Sequence, residues 1–201
     1  MKNETASNKS SARRLTICGI MIAITLIMAY TPIGMIPLGT VSATISHVPA
    51  IITAIVVGPI EGLIVGTAFG IISLFKAITS PSGILDPLFG NPLISVLPRM
   101  MIGLTAHYTY KGLMKLFKGH NDSISITIAA CVGSMTNTVL VLGMLYVIYG
   151  QKLIEMLAVQ NLQAVRAIVL ATVTTSGLIE MVVSAIISVI IAKALKKALH
   201  I

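Results

Sequence analysis

Five polar side chains lie within or beside long apolar stretches of this 201-residue sequence. They are His47, Asn91, Arg99, Asn137 and Glu180. A charged or amide side chain inside a bilayer is costly, so it usually pairs with another polar group or binds a solute. Together these side chains offer hydrogen-bond donors, acceptors and both signs of charge. They predict one polar cavity that binds a small molecule with several hydrogen-bonding groups.

Arg99 indicates the chemistry of that molecule most directly. A guanidinium holds a carboxylate through two parallel charge-assisted hydrogen bonds, so Arg99 favours an anionic solute. Glu180 suits a hydroxyl, amide or amine deeper in the cavity. In the alternative interpretation Arg99 and Glu180 pair with each other, and a neutral solute then fits equally well.

No catalytic or metal-binding pattern accompanies these residues. HExxH, GxSxG, P-loop and GxGxxG patterns do not occur in a suitable context, and Cys18 and Cys131 both lie in apolar runs. We therefore expect no catalytic residue, no metal and no cofactor. The net charge of +8 does not predict nucleic-acid binding, because the cations cluster at segment ends and the sequence contains no Trp.

The surrounding composition is that of a multi-pass membrane protein. Hydrophobic residues make up 56% and charged residues 10%, with a mean hydropathy of +0.97, whereas a soluble domain has about 25% charged residues. At about 20 residues per span, roughly six transmembrane helices fit, which predicts an all-α membrane protein. The domain covers residues 1–201, with 1–12 as a disordered N-terminus and spans at 15–30, 45–57, 60–77, 92–116, 123–149 and 164–195.

The distribution of cations predicts the orientation. An even number of spans places both termini on one side, and that side receives ten of the 14 cations: Lys2, Lys9, Arg13, Arg14, Lys111, Lys115, Lys118, Lys193, Lys196 and Lys197. The positive-inside rule then makes both termini cytoplasmic and places Asn91 and Arg99 at the outer face. Cleavage of a signal peptide after Val41-Ser42-Ala43 is the less favoured alternative, because the first apolar run is long and the rest of the chain is also membrane-embedded.

Small residues at helical spacing indicate close helix packing. Gly19 and Ala23 have this spacing in the first span, as do Gly62, Gly66 and Gly70 in the third. For Gly19 and Ala23, packing within the chain and contact with another subunit are both open. The Pro- and Gly-rich stretch at 31–39 is apolar but too interrupted for a helix, so we expect a loop that could act as a lid.

These features resemble a known family over nearly the whole chain. The resemblance rests on Gly19-x-x-x-Ala23, the loop at 31–39, the Gly58-Pro59 turn, the stretch from Asn91-Pro92-Leu93 to Pro98-Arg99, and Thr136-Asn137-Thr138. The chain resembles the substrate-binding S components of energy-coupling factor (ECF) vitamin transporters, most closely the pantothenate type. Gly19 stands where the family commonly has Ala, a mild departure because the requirement is a small residue.

The resemblance implies a non-enzymatic subunit that captures a water-soluble vitamin, pantothenate being favoured, at the outer face of a prokaryotic cell membrane. The first loop closes over the vitamin. Gly19 and Ala23 contact the T component, a transmembrane scaffold, and two cytoplasmic ATPases drive uptake. The candidate substrate ligands remain the five polar residues named above.

Two other functions are weighed against this one. A stand-alone ion-coupled transporter would use Glu180 as a proton carrier for a vitamin such as pyridoxine or nicotinate. A membrane enzyme would depend on His47 and Glu180, which are too few for a catalytic site.

Overall fold

The protein is a helical bundle with one short hairpin. The computed structural model describes residues 2–38, 41–81, 83 and 85–199. The helices are α1 (Lys2–Tyr30), α2 (Val48–Val56), α3 (Pro59–Thr79), α4 (Pro92–Ser95), α5 (Leu97–Leu116), α6 (Asp122–Met156) and α7 (Leu162–Leu199). Strands β1 (Met35–Leu38) and β2 (Val41–Thr44) pair antiparallel, and 3-10 helices occupy Pro32–Gly34 and Asp86–Gly90. The predicted helical membrane fold is confirmed, and the predicted lid segment contains a hairpin.

The helices differ in their ability to cross a bilayer. Four of the described helices are long and apolar enough to cross a membrane: α1 over Ser11–Tyr30, α3, α6 and α7. Helix α5 has 20 residues but includes Arg99, Lys111 and Lys115. Helix α2 has only nine residues, and at about 1.5 Å per residue it is much shorter than the hydrocarbon core of roughly 30 Å. The predicted span at 45–57 is therefore a short internal helix.

Helix α2 forms the centre of the bundle. All nine of its residues are buried, and Ile51 and Ala54 have no exposed surface. The chain enters α2 through the hairpin and leaves it at Gly58, whose φ of 155° lies in a region that only glycine adopts readily. Helix α2 fills only part of the bundle's length. Polar side chains and the hairpin therefore occupy the space beyond its N-terminal end.

Three helix boundaries differ from the sequence-based expectation. Helix α1 begins at Lys2, so residues 2–12, predicted to be disordered, are helical. Helix α6 continues to Met156 through a kink at Tyr149, where the predicted span ended. The predicted span at 92–116 consists of α4 and α5, which meet at Val96.

The glycines of α3 allow it to pack backbone to backbone against α5. A Cβ atom at Gly66 would overlap the carbonyl oxygen of Arg99, and one at Gly70 would lie 2.7 Å from the Cα of Val96. On the facing helix, a Cβ at Gly103 would overlap the backbone of Gly62. The predicted glycine packing face is confirmed, and it fixes the backbone of α5 at Arg99.

Polar contacts tie the helices together at the end that carries both termini. Arg14 forms an ion pair of 3.2 Å with Glu61, linking α1 to α3. Lys196 forms one of 2.6 Å with Asp122, linking α7 to α6, and the Tyr110 hydroxyl donates to the same carboxylate. The hairpin lies at the opposite end of the bundle.

The packing of α3 on α5 predicts a specific sensitivity to side-chain size. Gly66→Val should lower the melting temperature in detergent, because overpacking of a core typically costs about 1–3 kcal/mol. Gly112→Val is the matched control, since a Cβ at Gly112 meets nothing within 4 Å. Equal melting temperatures for the two variants, measured by thermal unfolding, would contradict this account of the interface.

Candidate functional site

A cavity of about 140 Å³ lies between the hairpin and the start of α2. Its walls come from the ends of α1 and α3, from β2, from the 3-10 helix at Asp86–Gly90 and from the start of α5. The lining residues are Ala29, Thr44, Ser46, Phe69, Ser73, Lys76, Ala77, Asp86, Phe89 and Arg99. The wall therefore combines aromatic rings, small hydroxyls, two cations and one carboxylate.

The break between α4 and α5 positions Arg99. Pro98 has no N–H, so in a continuous helix the carbonyl of Ile94 would lack its usual donor four residues on. Arg99 Nη1 donates to that carbonyl at 2.6 Å. The proline thus leaves a backbone acceptor that holds the arginine side chain at the cavity.

The charge of Arg99 is buried, and no acidic side chain among the described residues pairs with it. Its side chain is 6% exposed, and its guanidinium lies 5.6 Å from the ring centre of Phe69 and 5.3 Å from that of Phe89. Its Nε atom is buried without a hydrogen bond. Among the residues that the structure describes, Arg99 forms no ion pair, so the alternative Arg99–Glu180 pair is not formed.

Glu180 instead accepts hydrogen bonds from two other segments of the protein. Its Oε1 atom accepts the Thr44 amide at 2.7 Å and the Thr44 hydroxyl at 3.4 Å. Its Oε2 atom accepts the Thr138 hydroxyl at 3.0 Å. Glu180 therefore connects α7 to α6 and to the base of the hairpin, and it lies outside the cavity wall.

His47 and Asn137 are buried near the cavity but do not line it. His47 Nε2 lies 3.1 Å from Ser134 Oγ and 2.9 Å from Ser184 Oγ, which joins α2 to α6 and α7. The other ring nitrogen, Nδ1, is buried without a hydrogen-bond partner, as is the side-chain oxygen of Asn137. Buried polar atoms are normally satisfied by protein or water, so these two atoms mark a polar region that extends beyond the cavity wall.

Asn91 has a local structural role. Its side-chain oxygen accepts the amide of Leu93 at 3.0 Å and so caps α4. Its Nδ2 donates to the Tyr149 hydroxyl at 3.3 Å, next to the kink in α6. Of the five predicted site residues, Arg99 lines the cavity. Glu180, His47 and Asn91 connect the elements around it, and Asn137 is buried in α6 with its side-chain oxygen unpartnered.

Sequence reasoning missed several cavity residues, of which Lys76 is the most informative. Lys76 Nζ donates to the Ala29 carbonyl at 2.7 Å, at the C-terminal end of α1. Asp86 lines the same wall and accepts the Gly83 amide at 2.9 Å. A signal for Lys76 was present, because it is one of the few cations that the orientation left on the outer side of the membrane. Phe69 and Phe89 carried no such signal.

Gly19 and Ala23 face away from the bundle. Both are exposed, and a Cβ built at Gly19 meets nothing within 4 Å. Ile20 and Ile27, on the same helix, are 54% and 56% exposed. Packing within the chain, one of the two roles considered for this pair, is therefore not observed among the described residues.

The fold and the cavity define a class: a helical membrane protein with a small, partly polar cavity beside a hairpin at one end of the bundle. The family described as "ECF transporter, substrate-specific component" matches residues 13–192, and the chain belongs to this family. The predicted resemblance is confirmed. The chain is thus a non-enzymatic, substrate-binding transport subunit of a bacterial membrane protein family.

Two curated relatives are similar to the chain. The pantothenic acid transporter PanT of Lactococcus lactis subsp. cremoris (strain MG1363) is 29% identical over 205 residues, covering 94% of this chain and 97% of that protein. The pantothenate transporter PanT of Leuconostoc mesenteroides subsp. mesenteroides is 31% identical over 102 residues, covering 48% of this chain and 50% of that protein.

Because the side-chain oxygen of Asn91 caps α4, substitutions at Asn91 should change stability according to whether they keep this oxygen. Asn91→Ala removes the acceptor for Leu93 and should lower stability by about 1 kcal/mol, seen as a lower melting temperature. Asn91→Asp keeps a capping oxygen and should retain most of the stability. If Asn91→Asp remained stable but lost ligand affinity in a binding titration, Asn91 would contact the ligand directly, as the sequence first indicated.

Proposed function

We propose that this chain captures pantothenate at the outer face of the cell membrane and delivers it to an ATP-driven importer. The buried, unpaired guanidinium of Arg99 in the cavity wall is the observation that carries the proposal. Such a charge is costly inside a membrane protein unless a partner offsets it. Both relatives described above are named as pantothenate transporters, and pantothenate carries one carboxylate.

In the proposed binding mode, the carboxylate of pantothenate lies against the guanidinium of Arg99. Nε and a terminal nitrogen can form two parallel hydrogen bonds with it, which is the geometry that favours arginine at carboxylate sites. Lys76 adds a second positive charge to the same cavity. Phe69 and Phe89 flank the guanidinium and limit its contact with water, which strengthens the electrostatic attraction.

The rest of pantothenate offers an amide and two hydroxyls. Thr44, Ser46 and Ser73 line the cavity and provide hydroxyl groups that can donate or accept. His47 and Asn137, with one buried and unpartnered polar atom each, are proposed to bind the end of the ligand farthest from Arg99.

The proposed orientation places both termini in the cytoplasm and the hairpin outside. It rests on the cation distribution, because the cations at the end with both termini outnumber those near the cavity. A cavity that opens outward is what capture of an external solute requires.

Uphill transport would need an ion gradient or a partner ATPase, because no ATP-binding motif occurs in a suitable context in this sequence. We propose that the exposed surface at Gly19 and Ala23 contacts a transmembrane T component. Small residues let two helix backbones approach closely, which is how membrane helices often associate. Two cytoplasmic ATPases would supply the energy through that scaffold.

The role of Arg99 is tested by removing the positive charge from the site, in Arg99→Ala, and the negative charge from the ligand, in pantothenol. Arg99→Ala should weaken pantothenate binding at least about 10-fold, which corresponds to roughly 1.4 kcal/mol. The wild type should discriminate strongly against pantothenol, in which a hydroxymethyl group replaces the carboxylate, and Arg99→Ala should lose that discrimination. Isothermal titration with a folded variant measures both, and unchanged discrimination would show that Arg99 does not bind the carboxylate.

The surface at Gly19 is tested by separating binding from assembly. Gly19→Leu should bind pantothenate like the wild type but fail to co-purify with the T component, because the side chain prevents close helix approach. Gly112→Leu is the matched control, being another exposed glycine with open space around it. Concentrative uptake by the isolated chain in proteoliposomes would contradict the need for partners and favour an ion-coupled transporter.

A further inference from the structure

Glu180 joins segments that are far apart in the sequence. The amide of Thr44, 136 positions away, and the hydroxyl of Thr138, 42 positions away, both donate to its carboxylate. Its side chain is only 7% exposed. The described contacts thus occupy both carboxylate oxygens with donors from the protein itself.

Thr44 is the point where the hairpin meets both the cavity and the bundle. It is the last residue of β2, and it lines the cavity. The base of the hairpin is closed by a hydrogen bond of 3.0 Å from the Ile45 amide to the Gly34 carbonyl. Glu180 fastens the adjacent amide of Thr44 to α7. The position of the second strand above the cavity therefore depends on a carboxylate that lies outside the cavity wall.

We infer that Glu180 is a positioning residue that anchors the hairpin over the ligand. It acts through the amide of Thr44 and does not contact the ligand itself. The sequence placed Glu180 among the ligand-binding residues because a carboxylate within an apolar helix demands polar partners. The hairpin and α6 provide those partners.

A carboxylate suits this anchor for two reasons. Hydrogen bonds to a charged acceptor are roughly twice as strong as those between neutral groups. The second oxygen also binds Thr138, so the hairpin is coupled to the packing of α6 against α7.

The anchor is tested first without any ligand, by hydrogen exchange at the Thr44 amide. Glu180→Ala should accelerate exchange of the segment that contains Thr44 by at least about 10-fold, since a hydrogen bond to a charged group is lost. Glu180→Gln keeps an oxygen acceptor for this amide and should stay within about 3-fold of the wild type. Glu155→Ala, which removes an exposed carboxylate from the end of α6, is the control for loss of charge.

The second readout is the kinetics of pantothenate binding, which rests on the proposed function. Glu180→Ala should raise the dissociation rate at least about 10-fold and leave the association rate nearly unchanged, and Glu180→Gln should restore slow dissociation. A residue needed only for folding would not be rescued by Gln in this way. If the wild type fails to bind pantothenate, the proposed function fails, and the hydrogen-exchange result alone decides the anchor.

Two results would overturn the inference. One is unchanged Thr44 exchange in folded Glu180→Ala. The other is Glu180→Gln that keeps wild-type protection of Thr44 but loses as much pantothenate affinity as Glu180→Ala, which would assign Glu180 to the ligand through its charge. If Glu180→Ala does not fold, Thr138→Val serves in its place, because it removes the donor to Oε2 together with a weaker hydrogen bond of 3.3 Å to the Ser134 carbonyl of the same helix. It should accelerate Thr44 exchange by about 3-fold, and no acceleration would reject the coupling of the hairpin to α6 through Glu180.

Discussion

The burial of one positive charge in an apolar bundle is the constraint around which the structure is arranged. Arg99 reaches the cavity because Pro98 leaves the Ile94 carbonyl without a helical donor and the guanidinium takes its place. Close approach of α3 at Gly66 and Gly70 fixes the backbone on which this depends. Among the described residues the guanidinium receives no carboxylate, and it lines the cavity.

The length of α2 determines where the cavity lies. A central helix of nine residues leaves one end of the bundle open, and Thr44, at the base of the hairpin, lines the cavity at that end. The two buried charges then have separate roles. Arg99 faces the cavity, whereas the carboxylate of Glu180 binds the base of the hairpin through the amide of Thr44. Under the proposed function, this division assigns selection of the anion to Arg99 and its retention to the hairpin that Glu180 anchors.

The sequence predicted the features that depend on local chemistry. Long apolar runs predicted the helices, the spacing of Gly62, Gly66 and Gly70 predicted a packing face, and Arg99 stood out as a charge in an apolar segment. The contacts of Glu180 could not be predicted, because its partner Thr44 lies 136 positions away and donates through its backbone, which any residue except proline could do. Asn91 was assigned to the ligand because capping and binding use the same side-chain atoms. Lys76 was overlooked because a lysine at a helix end normally indicates only topology.

The most direct test of the central claim is a structure of the chain with bound pantothenate. The account predicts that both carboxylate oxygens lie within hydrogen-bonding distance of the Arg99 guanidinium, about 2.7–2.9 Å, with Nε as one of the donors. It also predicts that Glu180 still accepts the Thr44 amide. A carboxylate bound elsewhere, with Arg99 bonded only to the Ile94 carbonyl, would contradict it.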